Sequence, residues 1–291
     1  MLKTRILTAL IAIPFVFICV FYGGWVFSLM IFAISFFCLK EYLSICSKYN
    51  PHKKTALIAG SLLFIFFAVP KVTWNAVLLM EFFTPLAKFI NVRDVIFIFR
   101  DLSVWSVAIP LVFFIIEVLG KNTEHGVSRI AVSFLGTFFI PITLANMVFL
   151  RELSSGMQII LVLFFTVWIL DTAAYAFGRM YGKHKLVPNI SPKKTVEGAI
   201  AGIVFGIISA VIFGSLIFSV FSVLKAALIG LMIAIVGQFS DLAESLMKRD
   251  ADVKDSGSTI PGHGGFLDRF DSYLFAAPVL YWMLTFFWGY K

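Results

Sequence analysis

Residues 159–177 read IILVLFFTVWILDTAAYAF, an unbroken apolar run with one acid, Asp171, near its end. A helix needs about 20 such residues to cross the hydrocarbon core of a bilayer. Runs of the same kind lie on both sides. Upstream, candidate spans occupy Ile6–Tyr22, Trp25–Ile45, Thr55–Val69, Val104–Leu119 and Ile130–Leu150. Downstream, they occupy Gly198–Phe221, Ala226–Met247 and Tyr273–Tyr290. The expected fold is therefore all-α and polytopic, with about nine transmembrane helices.

Composition agrees. The chain has 291 residues, is 60% hydrophobic with 34 Phe, and carries only 14% charged residues. A soluble domain charges roughly a quarter of its residues to cover its surface, so a mean hydropathy of +0.96 makes lipid the main solvent. The net charge of +8 comes from 24 Lys and Arg against 16 Asp and Glu. These basic residues gather in short loops between apolar runs, which points to membrane orientation and anionic lipid. No basic stripe interleaved with aromatics occurs, so nucleic acid is excluded as a partner. Cys19, Cys38 and Cys46 form no close-spaced pair, and His52, His125, His184 and His263 are scattered, so neither a disulfide framework nor a zinc motif is visible. Lys3 and Arg5 precede an apolar stretch in the manner of a secretion signal. That stretch is too long, and no small-x-small cleavage site follows before Tyr22, so a retained first span is expected.

With a cytoplasmic N-terminus, the inside loops hold Lys48, Lys53, Lys54, Lys121, Arg129, Arg179, Lys183, Lys185, Lys193, Lys194, Lys248, Arg249, Lys254 and Arg269. The outside loops keep fewer basic residues, as the positive-inside rule expects. Residues 70–103 are apolar yet hold Glu81, Pro85, Arg93, Arg100 and Asp101; a loop, an interfacial helix and a re-entrant segment all fit them. We divide the chain at 157/158. Residues 1–157 form a scaffold of membrane helices, and residues 158–291 form a chemical region with polar loops at 178–197 and 248–271.

Polar residues crowd into the stretch DLAESLMKRDADVKDSGSTIPGHGGFLDRFDSYLF, which begins at Asp241. Ionisable groups cost several kcal/mol when they face hydrocarbon unpaired, so this crowding needs water, partners or a ligand. Asp241, Glu244, Ser245 and Lys248 follow helical spacing and share one face. Lys248 and Arg249 also suit plain interfacial anchoring, but anchoring does not explain Asp241, a turn or more deeper. Pro261-Gly262-His263-Gly264-Gly265 is either a simple turn or a Gly-rich loop whose backbone N–H groups approach a phosphate. Asp268 and Asp271, three apart with Arg269 between them, either converge on one hard cation or decorate a solvated helix start. Ser191-Pro192-Lys193-Lys194-Thr195 precedes the seventh span; Ser191 is a good N-cap and Pro192 suits a first helical turn, leaving free N–H groups for an anion. Asp171 either binds a metal or accepts hydrogen bonds from neighbouring helices. Lys and Arg for anionic oxygens, acids for magnesium and glycines for close approach together suggest phosphate-ester chemistry. No G-x-x-x-x-G-K-[ST] loop is present, which argues against P-loop chemistry.

Ser245, Lys248, Arg249, Lys254, Asp255, Gly257, Ile260, Pro261, His263, Gly264, Gly265, Asp268, Arg269 and Asp271 match the pattern S-x-x-K-R-x4-K-D-x-G-x2-I-P-G-H-G-G-x-x-D-R-x-D. Over residues 168–278 the chain resembles the CDP-diacylglycerol synthases (phosphatidate cytidylyltransferases), and its S-P-K-K-T-x-E-G stretch is similar to that family's second segment. The resemblance implies CTP and phosphatidate as partners in the membrane, and Mg2+ as cofactor with K+ as a companion. It also implies a homodimer in a bacterial inner membrane with its site facing the cytoplasm. On this basis Asp241, Asp268 and Asp271 are expected to hold the metal, with Glu244 and Asp171 as further candidates. Lys248, Arg249, Lys254 and Arg269 are expected to neutralise phosphates, and Asp255 and His263 to belong to the catalytic loop, His263 without acting as a base. Ser191, Lys193, Lys194, Thr195, Ser245, Gly264 and Gly265 are expected to bind substrate. The CDP-alcohol phosphotransferases are a weaker match, because no D-G-x2-A-R precedes Asp268. A CTP-dependent lipid kinase also fits less well, and a transporter or scaffold has little use for such a cluster.

Overall fold

The computed structural model describes residues 2–68, 102–120, 124–262 and 264–290. The expectations for residues 70–101, for Lys121 and for His263 lie outside these. Among the described residues there are nine α-helices: α1 Leu2–Tyr22, α2 Gly24–Ile45, α3 Lys53–Ala68, α4 Leu102–Gly120, α5 Gly126–Glu152, α6 Gly156–Tyr181, α7 Val196–Val211, α8 Val223–Asp250 and α9 Leu267–Trp282. Turns of π-helix extend α7 through Ile212–Ile217 and α9 through Met283–Phe287. Seven of the helical stretches are long and apolar enough to cross a bilayer; α1 contributes a shorter apolar stretch, Leu7–Tyr22. The chain is a helical polytopic membrane protein.

Two packing groups meet at α5. The first comprises α2 and α3, both of which lie on α5. The second is the series α6, α7, α8, α9, each helix packed on the next, and α9 returns to α5. Hydrophobicity does not distinguish helix neighbours from lipid tails, so close approach through small residues is what holds such a series together. Gly198 illustrates it: a Cβ there would stand 2.6 Å from the carbonyl oxygen of Ala174 and 3.0 Å from Cα of Gly178.

The exception to the helical pattern is a hairpin, β1 Lys185–Val187 paired antiparallel with β2 Ser191–Thr195. It corrects the expectation that Ser191 caps a helix. The cap is Thr195, whose hydroxyl accepts from the Gly198 N–H at 3.2 Å, and the helix starts at Val196. Pro192, which has no N–H to offer a ladder, is tolerated in a short two-stranded edge. Extended backbone sends successive side chains to opposite faces, so Lys193 is exposed while Lys194 turns inward.

Hydrogen bonds mark two faces of the molecule. On one, Lys48 and Tyr49 reach Asp250 at the end of α8 (3.1 and 2.9 Å), and Thr8 donates to the Pro261 carbonyl at 3.0 Å. On the other, Arg151 at the end of α5 donates to the carbonyls of Val20 and Phe21 (2.8 and 3.2 Å), satisfying the open end of α1. There too Tyr290 donates to the Val220 carbonyl at 3.1 Å, and Lys225 lies over Trp288 and Tyr290.

Candidate active site

The polar centre lies on the face marked by Lys48 and Asp250, where α8 ends and α9 begins. α8 runs unbroken to Asp250, so Asp241, Glu244, Ser245 and Lys248 keep the helical register expected of them. Ser245 Oγ lies 3.4 Å from Asp241 Oδ1. Glu244 is 1% exposed and faces the Lys248 ammonium. Carboxylate oxygens of Asp241, Glu244 and Asp271 all lie within 4.8 Å of one another. Ser240 donates to the Asp271 carbonyl, and the Ser272 N–H donates to the Asp271 carboxylate at 2.6 Å, tying the start of α9 to α8.

Asp268 does not join this trio, contrary to its expected pairing with Asp271. Residues three apart on a helix differ by about 60° in direction, and the loop claims Asp268. Its carboxylate accepts from Lys248 Nζ at 2.8 Å, from the Ser256 N–H at 3.0 Å and from the Gly265 N–H at 2.9 Å. Lys248 thus stands between Glu244 and Asp268. The Gly-rich turn closes on itself, with the Ile260 N–H donating to the Gly264 carbonyl at 2.9 Å. Gly262 and Gly264 adopt φ of 75° and 83°, values that favour glycine. The Gly265 N–H is spent on Asp268 and so is not free for a phosphate.

Beside the trio opens a cavity of about 630 Å³ between α6, α7, α8 and the hairpin. This falls within the usual size of small-molecule sites, about 300–1,000 Å³. Asp171, Tyr175, Arg179, Lys193, Lys194 and Asp241 line it. Lys194 reaches Asp241 at 2.7 Å, so the hairpin delivers an ammonium to the acid cluster. Asp171 is exposed on the cavity wall and lies outside the trio. Among the described residues its side chain has no hydrogen-bond partner. Thr195 is buried as the cap of α7, so its hydroxyl is occupied. Arg249 braces the hairpin by donating to the Ile190 carbonyl at 3.1 Å. Ser191, Lys254, Asp255 and Arg269 are not among the residues that line the cavity; the last three are exposed.

The trio fits a divalent cation. Like charges about 4 Å apart repel by about 4 kcal/mol per pair at an effective dielectric of about 20. The ammonium groups of Lys194 and Lys248 reach this cluster of three carboxylates. Both Glu244 oxygens are buried and accept no well-formed hydrogen bond. Oxygen donors of this kind suit magnesium. Potassium is a weaker match to so compact an acidic set.

Two features escaped the reading of the sequence. Gln238 lines the cavity and donates to the Ala199 and Ala234 carbonyls (3.3 and 3.0 Å), bridging α7 and α8. Glu41, far upstream on α2, accepts three hydrogen bonds from the loop before α9 and from the first residue of α9. An acid at the edge of an apolar span was the one available sign of Glu41.

Carboxylates clustered with lysines at one face of a helical membrane protein, beside a nucleotide-sized cavity, define a membrane protein built to handle phosphates. The chain belongs to the cytidylyltransferase family, whose model matches residues 3–287. It is 33% identical to a phosphatidate cytidylyltransferase of Staphylococcus epidermidis over 96% of this chain and 97% of that one. It is 40% identical to the phosphatidate cytidylyltransferase of Bacillus subtilis over 64% and 68% of the two chains. A third, from Staphylococcus haemolyticus, is 39% identical over 60% of this chain and 66% of its own length. The likeness read from residues 168–278 therefore extends through the N-terminal helices.

Proposed function

We propose that the protein transfers the cytidylyl group of CTP to phosphatidate at the membrane surface, giving CDP-diacylglycerol and pyrophosphate. The observation that carries this reading is the Asp241–Glu244–Asp271 trio beside Lys194 and Lys248, at the edge of the cavity. A phosphate oxygen of the lipid attacks the α-phosphorus of CTP in line. The bond from the α-phosphorus to the oxygen of the β-phosphate breaks, and pyrophosphate leaves with that electron pair. The nucleophile is already an anion, so no strong general base is required; positioning and charge neutralisation do the work. A bound magnesium ion would offset charge on the reacting phosphates, held by Asp241, Glu244 and Asp271. Lys194 and Lys193 face incoming phosphates from the hairpin, and Lys248 keeps Asp268 and Glu244 in place. Arg249, Lys254 and Arg269 are assigned to neutralise the remaining phosphate charge.

The finer reading also includes nine spans, a cytoplasmic N-terminus and site in a bacterial inner membrane, a homodimer, and K+ as companion ion. The division at 157/158 belongs to it as well, with chemistry confined to the second region. Charge bias of the loops supports the orientation. Purified protein in mixed micelles with α-labelled CTP and magnesium tests the core of the proposal. Label should pass into chloroform-soluble lipid, and pyrophosphate should appear, only when phosphatidate is present. Pyrophosphate release without lipid, or transfer of the γ-phosphate instead, would replace this reading with a hydrolase or a kinase. Exchanging potassium for sodium tests the companion ion, and light scattering of the detergent complex tests the dimer.

A further inference from the structure

One buried acid of the first helical group reaches the loop beside the site. Glu41, on α2, is 5% exposed, and among the described residues no cation pairs with it. Its charge is met instead by donors from the segment between α8 and α9 and from the first residue of α9. Oε2 accepts from Ser256 Oγ at 3.1 Å and from the Leu267 N–H at 2.9 Å, and Oε1 accepts from Thr259 Oγ1 at 2.6 Å. A carboxylate only accepts, so the Ser256 hydroxyl must point its proton at Glu41. That leaves its lone pair for the Asp268 N–H, 3.3 Å away. The Ser256 N–H in turn donates to the Asp268 carboxylate, which holds Lys248. A chain of hydrogen bonds thus runs from α2 to Lys248, whose ammonium faces Glu244 of the acid trio.

The glycines of the loop fit the same account. A Cβ on Gly257 would stand 2.9 Å from Glu41 Oε1, and one on Gly265 would collide with Ser256 Oγ and the Glu41 carboxylate. The sequence alone leaves open whether the glycines of residues 261–265, Gly265 among them, form a plain turn or make room for phosphate. At Gly257 and Gly265 the space is filled by Glu41.

We propose that Glu41 is a positioning residue for the cytidylyl transfer, setting Asp268 and Lys248 by clamping residues 256–267. This deepens the function proposed above and rests on it. The role requires acceptor oxygens more than charge. In Glu41→Gln one oxygen can still serve Ser256 and Leu267, while the amide NH2 meets Thr259, whose hydroxyl turns to accept. Glu41→Ala orphans all three donors. Glu41→Ala is therefore expected to lower turnover about 10–100-fold, the usual cost of removing a supporting group behind a site. Glu41→Gln should stay within about fivefold of wild type, the difference between a charged and a neutral acceptor. Gly257→Ala should impair the wild type, yet add nothing to Glu41→Ala.

Amide hydrogen exchange, which needs no substrate, separates this from a general structural role. In Glu41→Ala, exchange should quicken in residues 256–267 and stay unchanged in α2 and α5. Equal loosening of α2 and α5, full turnover of Glu41→Ala, or additive losses in the double variant would each overturn the proposal. A wild type that transfers no cytidylyl group would defeat the functional reading, while the exchange pattern would still judge the clamp.

Discussion

At the level of single residues, the three carboxylates of the trio differ in how they are held. Glu244 is sealed in and accepts no well-formed hydrogen bond, whereas Asp241 and Asp271 are partly exposed. Removing the charge of Asp271 by Asp271→Asn should cut cytidylyl transfer by more than about 100-fold, on the scale of losing a group that stabilises developing charge. Glu244→Gln should also raise the magnesium concentration needed for half-maximal rate, measured by titrating the metal at fixed CTP. An unchanged magnesium dependence would remove Glu244 from the ligand set. Lys194→Ala should weaken turnover more than Lys193→Ala, because only Lys194 reaches Asp241. The sequence made much of this legible: spacings of three and seven put Asp241, Glu244 and Lys248 on one face without any structure. It could not separate Asp268 from Asp271, since that depends on where a loop of some fifteen residues closes. Nor could it join Glu41 to Leu267, a contact across 226 positions.

Among the elements, the apolar runs announced every described helix, because hydrocarbon forces each span to satisfy its own backbone; most ends fall within about a turn, but α9 starts at Leu267, well before the expected Tyr273. The hairpin was not legible. Its strands are short, and Ser191-Pro192 carries a helix-start signal that pairing with Val187 overrides. Closeness of helices was signalled only by composition. Gly230 is a second close approach: a Cβ there would lie 2.7 Å from Cα of Ile207 and 2.8 Å from the Gly206 carbonyl oxygen. Both are backbone atoms and cannot swing aside, so Gly230→Val should force α7 from α8. An overpacked core typically loses about 1–3 kcal/mol, visible as a lower unfolding temperature in detergent. A second element-level tie joins α3, α4 and α5. Glu117 meets Arg129 and the His52 ring, the latter at 2.8 Å, with Glu117 and Arg129 nearly buried. Among the described residues, Glu117→Ala would leave the buried Arg129 with the Glu124 carbonyl alone. It should destabilise the protein by about 3–5 kcal/mol, well beyond the effect of replacing the exposed Glu124, when both variants are compared in the same melt.

For the molecule as a whole, the two faces carry different chemistry, and the proposed orientation in the membrane follows from that difference. Lys48, Lys194, Lys248 and the loop after Asp250 share the face of the acid trio, and Thr8 places the beginning of α1 there as well. The opposite face has Arg151 and Lys225, both engaged with carbonyls or rings. A lysine-rich face belongs on the cytoplasmic side, which is also where a water-soluble nucleotide would arrive. Cys19, Cys38 and Cys46 are all buried, so an introduced thiol can report its side with little background. Ser154 and Ser258 are exposed on the two different faces. In intact cells a membrane-impermeant maleimide should label Ser154→Cys and spare Ser258→Cys; once the membrane is opened, both should react. The reverse pattern would put the acid trio outside, away from intracellular nucleotide, and no arrangement of lysines around it could then sustain cytidylyl transfer in the cell.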